Sequence, residues 1–94
     1  MELSLKSLVK KTMKLELTDG SVINILPPSK ALYEKHKTAT DKELYEQVTD
    51  ILNNNSEKKI FELSDVENMF DYDEAMYIFK GFTQFINEIT LSKN

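Results

Sequence analysis

The stretch KLELTDGSVINILPPSK, residues 14–30, decides the fold. It holds one of the chain's two glycines and both of its prolines, and it contains no evident reactive group. Asp19-Gly20 is a strong turn signal between two alternating or β-branched runs, so a β-hairpin is expected here. Two registers compete. A two-residue loop sets Leu17 opposite Val22 and Leu15 opposite Asn24, which puts an amide into the apolar face. A three-residue loop, Thr18-Asp19-Gly20, is a type I turn with Gly20 left-handed as a bulge. Leu17 then faces Ser21, Leu15 faces Ile23 and Met13 faces Ile25. One face carries Met13, Leu15, Leu17, Ile23 and Ile25, and the other Lys14, Glu16, Val22, Asn24 and Leu26. A slip of one residue exchanges the faces, so the apolar pattern selects the three-residue loop. Before it, LSLKSLV (residues 3–9) has an ambiguous period and leaves two readings open for 1–12: an extra strand or a loose basic arm.

A two-stranded hairpin is not stable alone and needs helices on its apolar face. Pro27-Pro28 ends the second strand, because neither residue can donate to a ladder, and Pro28 or Ser29 opens a short helix to about Lys37 with Leu32 and Tyr33 inward. Thr40-Asp41-Lys42-Glu43 is a capping box. It introduces a helix whose Leu44, Tyr45, Val48, Ile51 and Leu52 share one stripe. NNNSEKK, residues 53–59, ends that helix as a loop. Ser64-Asp65-Val66-Glu67 and Asp71-Tyr72-Asp73-Glu74 are two more N-terminal signatures. The second opens the longest helix, roughly Tyr72 to Thr90, with Ala75, Ile78, Phe79, Phe82, Ile86 and Ile89 inward. Gly81 sits inside it at a cost of about 1 kcal/mol against alanine, which suggests close approach of another element. The expected fold is α+β: one domain over residues 1–94, an N-terminal antiparallel hairpin on three to four helices, the C-terminal helix longest.

Composition removes several function classes. Cysteine is absent, so there is no thiol nucleophile, disulfide framework or thiolate metal site. All twelve basic residues are lysine, and without arginine the chain has no guanidinium fork for phosphates or guanine edges. A net charge of −4 further disfavours nucleic acid. No apolar run reaches membrane-spanning length, and MELSLKSLVKK lacks the order of a signal peptide, so a cytoplasmic protein without a membrane partner is expected. The charge is uneven: residues 1–14 carry four lysines against Glu2, while Glu62 to Glu74 holds six acids and no lysine. Such an acidic run is most simply a solvated face, and otherwise a surface that steers a basic partner.

Catalysis finds no support. The single histidine, His36, lies near the end of a short helix, where a cation suits the dipole, and a general base needs a positioned partner. Asp71, Asp73 and Glu74 invite a calcium reading, but Ala75 and Met76 stand where an EF-hand requires an oxygen ligand and a glycine. Capping explains these acids. No catalytic, cofactor or metal residue is assigned, and no enzymatic activity is expected. The aromatics are most simply core, but a chain this short cannot cover all its apolar side chains. Tyr77 opposite the last stripe, Phe85 at its edge, and Val22 and Leu26 on the hairpin's second face are expected to form a protein-binding surface.

The order of a hairpin around LTDGS, then LPPSKALYEK, VTDILNNN and MFDYDEAMYIFKGFTQFINEI resembles the small tail assembly chaperones of long-tailed bacteriophages and prophages. The resemblance runs from about Leu15 to the end and rests on apolar spacing and caps; the basic leader has no match in it. It implies a non-enzymatic protein that coats the tape measure protein during tail assembly in the host cytoplasm and helps recruit tail tube subunits. Weak self-association is expected from the surplus apolar residues together with this resemblance, and no cofactor is expected. A second class stays open: a small regulatory adaptor or antitoxin-like protein that binds one folded partner through its acidic face.

Overall fold

The computed structural model describes residues 1–40 and 43–91, the last two as helix backbone. Strand β1 (Met13–Glu16) pairs antiparallel with β2 (Val22–Ile25), and four helices follow: α1 (Lys30–Lys37), α2 (Leu44–Asn53), α3 (Leu63–Met69) and α4 (Tyr72–Leu91). The fold is α+β, and α4, at 20 residues, is the longest element. The hairpin takes the three-residue loop. Met13 faces Ile25 and Leu15 faces Ile23, while the Leu17 amide donates to the Ser21 carbonyl at 2.8 Å. Gly20 closes the turn at φ 89°, a conformation that side-chain-bearing residues rarely adopt. Its amide donates to the Leu17 carbonyl at 2.9 Å.

The apolar face of the hairpin turns inward. Ile23 and Ile25 are fully buried, while Met13, Leu15 and Leu17 on the outer strand are half-covered. Leu44, Val48, Ile51 and Leu52 of α2 meet Ala75, Ile78, Phe82 and Ile86 of α4 in one core that also takes Val66 and Phe70. Side chains cap the N-termini of α1 and α4, the second as the spacing predicts. Ser29 Oγ accepts from the Leu32 amide at 3.1 Å and opens α1. Asp71 and Glu74 form a reciprocal box at α4: the Glu74 amide donates to Asp71 Oδ1 at 2.8 Å and the Asp71 amide to Glu74 Oε1 at 2.9 Å.

Several expectations give way. Of the two readings open for residues 1–12, the strand is not formed: they make one 3-10 turn at Leu5–Ser7 and expose Leu3, Leu5, Leu8 and Val9. The third partner of the sheet comes instead from the asparagine loop, where Asn55 bridges to Ile25. Helix α3 starts after Glu62, so Ser64 lies within its first turn and caps nothing. Tyr33 is exposed, because the eight-residue α1 turns only Leu32 and His36 toward the body. Thr40 and Glu43 meet side chain to side chain at 3.1 Å, yet regular helix begins at Leu44; Asp41-Lys42 between them lie outside the described residues. Gly81 needs no close approach, since a Cβ there would sit 3.9 Å from Met13 Sδ, an ordinary contact.

Candidate partner-binding surface

β1 is an outer strand, so its inward side chains meet α4 on one side and, among the described residues, have no neighbouring strand on the other. Because Gly81 has no side chain, α4 is hollow at that turn. The result is an open groove of about 410 Å³ with Met13, Leu15, Ile78, Gly81 and Phe85 in its wall and Tyr77 beside it. A second hollow of about 340 Å³ continues it toward the hairpin turn, sharing Leu15, Tyr77 and Ile78 and adding Leu17 and Phe70. The floor is apolar. Charged side chains stand around it: Lys14, Lys80 and Glu88 at one end, Glu16, Asp73 and Glu74 at the other.

The four residues expected to bind a partner do not come together. Tyr77 is 76% exposed and stands where the two hollows meet. Phe85 is only 4% exposed and packs against Phe82, with ring centroids 6.2 Å apart, so it belongs to the core and touches the groove only at its wall. Its position at the margin of the α4 stripe is covered because α4 packs with a wider face than that stripe implies. Val22, 45% exposed, and the half-buried Leu26 lie on the hairpin's other face, away from the groove. Sequence reasoning missed Met13 and Leu15 as groove residues. The signal was present: inward residues on a strand that has a neighbour on one side only.

Polar groups elsewhere in the fold hold structure. His36 lies 6% exposed beneath α4, stacked on Phe79 at 4.2 Å and edge-on to Phe82 at 5.1 Å. Burial lowers its pKa, which favours the neutral ring over a dipole-stabilising cation. Glu57 clips the asparagine loop to β2. Its carboxylate accepts from the Asn24 amide at 3.0 Å, Asn24 Nδ2 at 2.7 Å and Ser56 Oγ at 2.9 Å, and these bonds, Asn24's first, lower its pKa to about 2. Among the described residues no three histidine, cysteine or acidic side chains gather as metal ligands would, and no helix is long and apolar enough to cross a membrane. No protein-family model, curated protein or solved structure matches this chain.

Proposed function

We propose that this protein is a non-enzymatic tail assembly chaperone that binds the tape measure protein of a long-tailed phage or prophage, with tail tube subunits as a further partner. The observation that carries this reading is the open apolar groove between β1 and α4, with Tyr77 exposed beside it. An amphipathic helix can lay its apolar face into such a groove. A tape measure protein exposes long apolar helical stripes before the tube closes around it, and many copies of a small binder keep those stripes from aggregating. The resemblance of the chain from Leu15 onward to that family points the same way. The adaptor reading relies on the acids of α3 and early α4, and two of these, Asp71 and Glu74, are engaged in capping.

Co-expression with the tape measure protein of the same genome tests the proposal. The expected result is a soluble complex that persists on gel filtration at raised salt, because apolar burial is not screened. Tyr77→Asp is expected to abolish it. If the tape measure protein is equally soluble alone and no complex forms, the chaperone reading fails. A complex that dissolves as salt rises favours the acidic-face adaptor instead.

A further inference from the structure

Among the described residues, only one edge of the two-stranded sheet is covered. Along β2, the Leu26 amide donates to the Asn54 carbonyl at 2.8 Å, the Ser56 amide donates to the Asn24 carbonyl at 3.0 Å, and Glu57 accepts from the Asn24 amide at 3.0 Å. Along β1 there is no such cover. The register turns the backbone groups of Met13, Leu15 and Leu17 toward β2, so those of Lys14 and Glu16 point outward. No hydrogen bond reaches them among the described residues. A bare edge is a template for another strand.

The sequence on this edge says which strand. Thr12-Met13-Lys14-Leu15-Glu16-Leu17-Thr18 reads alike in chemical class from both ends, except that the two charges have opposite sign. That is the pattern of a strand complementary to itself when antiparallel. With one Leu15 set opposite another, Lys14 meets the partner's Glu16, Glu16 meets the partner's Lys14, Thr12 meets the partner's Thr18, and Met13 meets the partner's Leu17. Parity also agrees, because the outward-pointing Lys14 and Glu16 fall in hydrogen-bonded pairs and Leu15 in a non-hydrogen-bonded one. Shifting by two residues instead opposes Lys14 to Lys14 or Glu16 to Glu16, which repel. A slip of one residue pairs outward groups with inward ones and leaves the ladder unmade. Both charges are exposed, and neither has an ion-pair partner among the described residues.

We propose that a second copy of this chain pairs with β1, joining two hairpins into one four-stranded antiparallel sheet about a two-fold axis at Leu15. Alternation lays the second copy's apolar side chains beside Met13, Leu15 and Leu17, at the open side of the β1–α4 groove. The dimer therefore shields in the free protein the surface assigned above to a helical partner. The pairing itself does not rest on the tail-assembly reading, since it concerns this chain alone.

Sedimentation equilibrium of the purified chain, run up to about millimolar concentration, reads the dimer directly. Lys14→Glu and Glu16→Lys are each expected to weaken it about tenfold or more, because each sets like charges opposite at both pairs. The double exchange Lys14→Glu with Glu16→Lys is expected to restore it. The chain has no cysteine, so Leu15→Cys carries a single thiol. Opposed Cα atoms in a non-hydrogen-bonded pair stand about 4.5 Å apart, within disulfide reach. Mild oxidation is expected to link Leu15→Cys into a covalent dimer, while Leu17→Cys, two residues off the axis, links poorly. Three results overturn the proposal: a monomer at every concentration, a dimer indifferent to both charge reversals, or Leu17→Cys linking as readily as Leu15→Cys. The charge variants alter exposed side chains and keep the test decisive even if Leu15→Cys does not fold.

Discussion

His36 Nε2 lies 2.7 Å from Thr83 Oγ1, a bond that joins the end of α1 to the middle of α4. Thr83 Oγ1 also lies 3.2 Å from the Phe79 carbonyl, and which of His36 and Thr83 donates depends on the imidazole tautomer. Nδ1 is buried with no partner among the described residues, so an imidazolium would hold its charge in apolar surroundings with nothing to receive the Nδ1 N–H.

The folded pKa of His36 is accordingly lowered from its ordinary 6.5 by burial. A depressed pKa contributes stability that is present above the unfolded value and is lost as pH falls through the folded one. Denaturant midpoints are expected to decline as pH falls below 6.5, and His36→Gln, whose amide can still bond Thr83, is expected to flatten that decline. An NMR titration of His36 at or above 6.5 would contradict this.

Glu57 acts in a lower window. Its pKa falls from 4.5 unperturbed to about 2 through the bonds from Asn24 and Ser56, so its contribution is full above 4.5 and vanishes toward 2. Glu57→Gln is expected to remove the part of acid unfolding that lies in that window. Exchange of the Asn24 amide is expected to speed up in the variant, and unchanged exchange would show that the clip does not hold in solution.

The hairpin, its register and the α4 box were legible because each rests on residues within a few positions of one another. The asparagine run was legible only as a loop. Asn53 brackets Phe61 through both backbone groups, at 2.6 and 3.0 Å. Asn54 Nδ2 donates to the Leu26 carbonyl at 2.8 Å, and Asn55 spans from the Leu52 carbonyl to both backbone groups of Lys59. Three identical side chains thus hold three different segments, and composition carries no trace of which. The groove was hidden for a related reason. It depends on which strand is outermost and on how widely α4 is covered, and both are set by the packing of distant elements. Phe85 shows the limit of a stripe drawn on one helix: its burial comes from neighbours that the helix's own period does not contain.

Gln47 lies outside the apolar stripe of α2, yet it is fully buried, and among the described residues neither its amide nitrogen nor its oxygen has a partner. Gln47→Met keeps the side chain's length and removes two unpaired polar atoms. It is expected to raise stability by about 1–3 kcal/mol, read as a higher urea midpoint at unchanged slope. A lower midpoint would show that these atoms are hydrogen-bonded in solution.

Gly81 has helical backbone and room for a methyl group, with Met13 Sδ at 3.9 Å. Gly81→Ala is expected to stabilise the protein by about 1 kcal/mol, since it removes the backbone-entropy cost of glycine in a helix. Thermal unfolding measures it, and a lower midpoint would mean that Met13 packs more tightly on this turn than the structure has it.

Phe85 and Tyr77 separate folding from binding. Both are aromatic and both border the β1–α4 groove, but Phe85 is 4% exposed and Tyr77 is 76% exposed. A charge at position 85 must be buried against Phe82 without a partner, a cost of several kcal/mol in a domain whose whole stability is on the order of 5–15 kcal/mol. A charge at position 77 remains in water. Phe85→Asp is therefore expected to lose the cooperative thermal transition, and Phe85→Leu to keep it at a lower midpoint. Tyr77→Asp is expected to melt within about 0.5 kcal/mol of the unchanged chain, as surface substitutions usually do. Circular dichroism melts of the three variants give the comparison. A folded Phe85→Asp would return Phe85 to the exposed surface and open the groove further than the structure does. A destabilised Tyr77→Asp would mean that the ring is covered in solution, by the leader or by a second copy of the chain.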